Sequence, residues 1–284
     1  MKKLIVLVVT LFFAVSIFAQ KKTPFVLYNS KGKKVSYKKM IRVLAQNDIV
    51  LFGEYHNNAI AHWLQLSVTK DLFEKRKLTL GAEMFERDNQ QALDHYLQGK
   101  INAKQLDSSA RLWKNYPTDY APLVNFAKEK NIPFTATNIP RKYASLVSKK
   151  GFTALDSLTA QEKSWMAPLP MAYDPELPGY KNMIAMMGGH GGENLPKAQA
   201  SKDATMAHFI LTTKVPGSLF IHYNGSYHSE NYEGIGWYLA KSNPLLKIKT
   251  ITTVSQKNIH NFEAENLNKA HYIICVDFDM TNTY

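Results

Sequence analysis

Ile49-Val50-Leu51-Phe52-Gly53-Glu54-Tyr55-His56 passes from four apolar residues with no polar alternation, through a glycine, to a carboxylate and an imidazole. A short apolar run of this kind reads as a strand covered on both faces. Residues 58–75, which follow, carry an amphipathic helical period. The pairing recurs along the chain. Strands are expected at 78–83, 133–137, 218–223, 248–254 and 272–276, and helices at 89–97, 121–130, 141–149 and 201–213. Buried strands alternating with helices imply an α/β fold with a mostly parallel, doubly wound sheet. Residues 158–200 break the pattern, being rich in Pro, Met, Tyr and Gly, and read as an irregular or helical excursion, a subdomain or lid on the sheet.

The first residues point to export. Lys2 and Lys3 precede an apolar and small-residue run that ends at Phe18-Ala19-Gln20, the anatomy of a secretory signal. Cleavage after Ala19 makes 1–19 the signal and 20–284 a single domain, placed in the periplasm or at the outer membrane. No cysteine lies near Gln20, so a Cys-anchored lipoprotein is not expected. The lone Cys275 sits in an apolar run and reads as a buried strand residue. The net charge of +12 becomes +10 without Lys2 and Lys3 (12 − 2). That balance suits anionic partners such as lipid headgroups, cell-wall polymers or haem propionates. The basic residues are dispersed and form no recognised reading module, which argues against nucleic acid.

Three constellations carry chemistry, each at the end of an expected strand. They are Gly53-Glu54-Tyr55-His56, Gly81-Ala82-Glu83-Met84-Phe85-Glu86 and Asn224-Gly225-Ser226-Tyr227-His228. Ligands of doubly wound sheets bind where strand ends meet helix starts. Two Gly-x-x-His turns and a strand-end carboxylate therefore converge on one crevice, the first glycine permitting a tight turn. Glu54, His56, Glu83 and His228 are the types that bind a divalent ion such as zinc, manganese or iron, and equally those that act as general base and electrophile. The bland alternative is that each histidine is a polar residue satisfied at a strand end. Asp203 either caps a helix or orients a pocket histidine. Arg141 has the reach to pair with a propionate or with Glu83. His190, flanked by four glycines, suits either an axial ligand on a loop or an exposed loop tip.

The chain resembles a known family. Gly53-Glu-Tyr-His-Asn57 with His62, Glu83-Met-Phe-Glu86 before Gln90-Gln-Ala-Leu-Asp94, Trp113 with Tyr116 and Tyr120, Asn138-Ile-Pro-Arg141, Asp203-Ala-Thr-Met-Ala207 and Gly225-Ser-Tyr-His228 occur in that order. The ordered set is similar to the ChaN-like haem-binding uptake family, within the superfamily that includes Tiki and erythromycin-esterase proteins. Asn57 stands where aspartate is commoner, and 183–196 does not align. The resemblance implies an exported, iron-related protein that binds haem through a tyrosinate and forms a homodimer, working with envelope or outer-membrane uptake components. Phenolate is a hard, anionic ligand suited to ferric haem, and Tyr120, with Tyr116 second, is the expected residue. From the esterase and Tiki relatives comes the alternative, a hydrolase, metal-dependent or metal-free, using Glu54, His56, Glu83 and His228. The leading expectation is capture of haem or an iron complex.

Overall fold

The computed structural model describes residues 22–186 and 192–284. The segment read as a signal and His190 lie outside the described residues. Seven strands occur in chain order: β1 (Phe25–Asn29), β2 (Ile49–Glu54), β3 (Leu78–Glu86), β4 (Phe134–Asn138), β5 (Leu219–Gly225), β6 (Ile248–Gln256) and β7 (Tyr272–Asp277). They form one sheet in the order β1-β7-β6-β2-β5-β3-β4. All pairings are parallel except β1 with β7. The helices are α1 (Tyr37–Leu44), α2 (Ala59–Phe73), α3 (Gln90–Leu97), α4 (Ala103–Ser109), α5 (Ala121–Glu129), α6 (Arg141–Lys150), α7 (Ala160–Lys163), α8 (Pro178–Met186), α9 (Leu195–Thr213) and α10 (Ile235–Ser242).

The central strands β2 and β5 are buried along their whole length, which is why they carry no alternating polar residues. Alternate residues feed two cores. Val50, Phe52, Leu80, Ala82, Ile221 and Tyr223 pack under α1 to α5, whereas Ile49, Leu51 and Phe220 pack under α6, α9 and α10. At about 25 cal/mol per Å² of apolar area buried, these two layers dominate stability. Asn58 caps α2 by accepting from the Ala61 N–H at 2.9 Å, a contact worth about 1 kcal/mol.

The excursion sends Met166, Ala167 and Met171 into the second core. The start of α8 comes close to the strand ends, where Tyr227 donates to the Gly179 carbonyl and the Gly179 N–H donates to Glu233. Among the described residues no helix is long and apolar enough to cross a membrane.

Candidate functional site

The period of two along a strand sets the plan of the site. Glu54 shares the parity of Val50 and Phe52, so it faces the layer of α2 and α5. Glu83 has the opposite parity to Leu80 and Ala82, so it faces α9. Each carboxylate organises its own helical layer, and the two clusters meet at the carboxyl ends of β2, β5 and β3.

On the first side, Glu54 is buried and saturated. His56 Nδ1 lies 2.9 Å from Oε1, Tyr120 donates its hydroxyl to the same oxygen at 2.6 Å, and Gln65 donates to Oε2. His62 stands behind, with Nδ1 3.3 Å from Gln65 Oε1 and Nε2 3.0 Å from the His56 carbonyl. That carbonyl also accepts from Asn115 at 2.9 Å, and Asn115 donates to Asp119 at 2.7 Å. Tyr116 and Tyr120 lie in a single π-helical turn, Tyr116–Tyr120, a rare geometry that recurs at functional sites. Residues 282–284 close this edge: Asn282 bridges Asn58, and Thr283 donates its hydroxyl to Asp119 at 2.7 Å and its N–H to the Asn57 carbonyl at 2.9 Å.

On the second side, His228 is clamped between carboxylates, with Nε2 3.1 Å from Glu83 and Nδ1 2.5 Å from Asp203. Asp203 is itself held by the Tyr180 hydroxyl at 2.9 Å. Burial alone would push the imidazole pKa down, but Glu83 and Asp203 outweigh it and push it up to about 10. Burial would likewise raise the Glu83 carboxyl, yet the His228 charge and the Gly225 N–H at 2.8 Å hold it well below the usual carboxylate range. At neutral pH His228 is thus a fixed imidazolium.

Gly225 joins the two sides. It pairs in register with Glu54, and a Cβ placed there would sit 2.8 Å from His56 Cε1 and 2.9 Å from Nε2, closer than a side chain tolerates. Gly53 serves close approach as well, since its Cβ would come within 3.0 Å of Ser226 Cα. The chain makes no tight turn there, as β2 runs on through Glu54, contrary to the expectation from sequence.

In front of His56 and Glu83 lies a cavity of about 650 Å³, within the range of ligand pockets. Leu112, Trp113 and Ile139 supply apolar wall, and Arg111, Lys114, Arg141 and Lys202 make it cationic. Trp113 meets His56 edge-on with ring centroids 4.8 Å apart. His56 Nε2 has no hydrogen-bond partner among the described residues. Both nitrogens of His62 and of His228 are engaged.

The four residues expected to hold a metal come together at the strand ends. Glu54 meets three donors, Glu83 two, and both nitrogens of His228 face carboxylates. Among the described residues no group of three or more His, Cys, Asp or Glu is placed to hold a metal ion.

Tyr120 hydrogen-bonds Glu54 and is not among the residues lining the cavity. Its ring is buried, and burial together with the Glu54 carboxylate raises the phenol pKa. Tyr116 is buried against Phe85 with its pKa raised by burial, and does not line the cavity. Arg141 does line it, but Glu83 is taken by His228 and Arg141 makes no ion pair among the described residues.

Sequence reasoning missed Gln65, Asn115 and Asp119, and saw His62 only as part of a motif. The signal that would have found them is polar spacing inside apolar surroundings: His62 and Gln65 three apart on the inner face of α2, and Asn115 and Asp119 four apart in an aromatic stretch.

A family model described as haem-binding uptake, Tiki superfamily, ChaN, matches residues 40–239, more than half of the chain. Among solved structures, the ChaN of Campylobacter jejuni, in which haem is bound cofacially, superposes with a TM-score of 0.67 at 18% identity, covering 88% of this chain and 96% of that one. A Bacillus cereus protein gives 0.52 at 12% identity, covering 89% and 94%. A mutant of the erythromycin esterase EreC in its open conformation gives 0.53 at 8% identity, covering 87% and 94%. At these identities the likenesses establish the fold. No curated protein sequence matches the chain.

Proposed function

The chain belongs to the haem-binding uptake family of ChaN, in the Tiki superfamily, and from that membership we propose that the cavity at the β2–β5–β3 rim binds haem, with His56 as the ligand to iron. One observation carries this. His56 Nε2 is the unengaged imidazole nitrogen facing a cationic, partly apolar cavity, and its other nitrogen is fixed by buried Glu54. A carboxylate on Nδ1 sets the tautomer and ring orientation of a metal-binding histidine and raises its basicity. Bound haem supplies an iron that accepts that nitrogen. Trp113 and Leu112 wall the macrocycle, and Arg141 and Lys202 meet the propionates. Tyr120 serves from below by holding Glu54.

Capture of haem or an iron complex for uptake fits export through residues 1–19, supported by their basic, apolar and small-residue order. The periplasm or outer-membrane surface, a homodimer and envelope uptake partners belong to the same proposal. The test is titration of the purified protein with hemin. A saturable Soret shift that is lost in His56→Ala and kept in Tyr120→Phe is expected, and absence of any saturable shift ends the proposal.

A second reading, a metal-free hydrolase, is favoured by one feature. The Glu54–His56 pair with an open Nε2 has the form of a general base, beside a fixed positive charge at His228. Ester turnover lost in His56→Ala, with no Soret response to hemin, would select it.

A further inference from the structure

Lys and Arg are spread along the chain, but their excess over Asp and Glu is not. Ten of the 35 precede Asp48, where no acidic residue occurs, which leaves 25 against 23 for the rest of the chain, a net of +2. Seven of those ten, from Lys22 to Arg42, fall in the described unit made of β1, the turn after it and α1, and all seven are exposed. Among the described residues, ion pairs of Lys and Arg are confined to Arg111, Lys130 and Lys181, so the seven have no carboxylate partner.

A charge run of this kind is ordinarily just a solvated face, but this one has aromatic rings beside it. Trp63 on α2 is 54% exposed, and its ring meets Phe25 of β1 edge-on with centroids 6.0 Å apart. The Tyr37 hydroxyl donates to Asp71 at 2.7 Å, joining α1 to α2, and these two residues line two hollows. One, of about 380 Å³, is walled by Phe25, Tyr37, Trp63 and Leu64, with Lys70 beside them. Around the other, of about 500 Å³, Lys38, Lys39, Arg42 and Lys75 outnumber Asp71 and Glu74. Indole rings favour the interface between bilayer and water, and each Lys or Arg near an anionic lipid surface is worth about fivefold in affinity.

We propose that the face formed by β1, α1 and α2 docks on an anionic lipid bilayer, with Trp63 and Phe25 at headgroup level and Lys38, Lys39 and Arg42 against lipid phosphates. Charge complementarity and the indole select this occupant together. A soluble polyanion would use the cations and leave Trp63 in water, and a second copy of the chain would set one cationic face against another. The inference gives a partner to the envelope location proposed above, on which it rests, and is independent of haem.

The test is co-sedimentation of the purified protein, processed after Ala19, with phosphatidylcholine vesicles made with and without phosphatidylglycerol. Binding to the anionic vesicles alone is expected, falling as salt is raised. Lys38→Gln with Lys39→Gln should weaken it about 25-fold, at about fivefold per charge. Lys149→Gln with Lys150→Gln removes equal charge from exposed positions at the end of α6, in the opposite layer, and should leave it within about twofold. Brominated lipid should quench the tryptophan emission of the bound protein, and Trp63→Phe should remove that quenching while keeping most of the binding. No binding to the anionic vesicles overturns the proposal. So does equal weakening by the two lysine pairs, the mark of net charge acting without a docking face, and so does binding with unquenched emission, the mark of a polyanion site. A hemin titration separates the ideas: a Soret response without vesicle binding removes this inference alone, and vesicle binding without a Soret response removes the haem proposal alone. Export is read from the mass of the chain recovered from cells, where retention of residues 1–19 would remove the envelope reading and leave the vesicle result standing.

Discussion

His228 Nε2 lies 3.1 Å from Glu83 Oε1 with both side chains buried. Because the imidazole is held up to about 10 against about 6.5 unfolded, the folded protein binds the extra proton more tightly. Its stabilising contribution is complete below about pH 6.5 and is lost as pH rises through about 10. Glu83 runs the other way: its carboxyl is depressed, so its contribution is present above about pH 4.5 and lost as pH falls. Urea midpoints at pH 6, 8 and 10 should therefore decline. An alkaline decline of equal slope in His228→Gln would count against the clamp.

His56 titrates in the same sense, but its consequence is for binding. Burial lowers its pKa, yet the hydrogen bond it donates to Glu54 and the charges of Glu83 and Glu54 raise it on balance. Iron needs the neutral ring, so hemin affinity should rise as pH is taken above the ordinary imidazole value of about 6.5 and the proton leaves. Spectroscopic titration at a series of pH values upward from that point checks it. A flat profile would be inconsistent with ligation by His56.

Gly225→Ala should drive the His56 ring off Glu54, since the new methyl would lie 2.8 Å from Cε1. Moving the ligand ring should weaken hemin binding by about tenfold or more, because a mispositioned group loses most of its contribution. In a His56→Ala background the same substitution should cost the fold little, as the ring it meets is gone. A double-mutant cycle with no coupling would contradict the close approach.

Tyr120→Phe removes a hydroxyl that donates to buried Glu54 at 2.6 Å. Leaving that carboxylate short of a donor should cost about 1–3 kcal/mol, read as a lower urea midpoint. The haem spectrum should keep its form. A changed Soret band at unchanged stability would return Tyr120 to the role of ligand.

How much of this was legible in the sequence depended on distance along the chain. The six strands that pack on both faces announce themselves as bounded apolar runs, and 49–52 or 218–223 needs no partner to be recognised. β1 was missed because Phe25–Asn29 is short and half-buried at an antiparallel edge, where burial leaves a weak imprint. Glu54, His56, Glu83 and His228 could be grouped because each follows a strand and the sheet brings strand ends together. Gln65 could not, since it acts on Glu54 across a helical layer. Residue types reveal donor chemistry, but not which neighbour each donor meets, and here Tyr120 meets Glu54 while His228 meets Glu83 and Asp203.

Residues 282–284 lie against Asn57, Asn58 and Asp119, and Tyr284 forms part of the cavity wall. Any purification handle fused behind Tyr284 would therefore emerge at the mouth of the cavity, where a polyhistidine tag offers iron a competing set of imidazoles. Spectra taken with such a tag in place would report on the tag as much as on His56, so it belongs elsewhere or must be removed first.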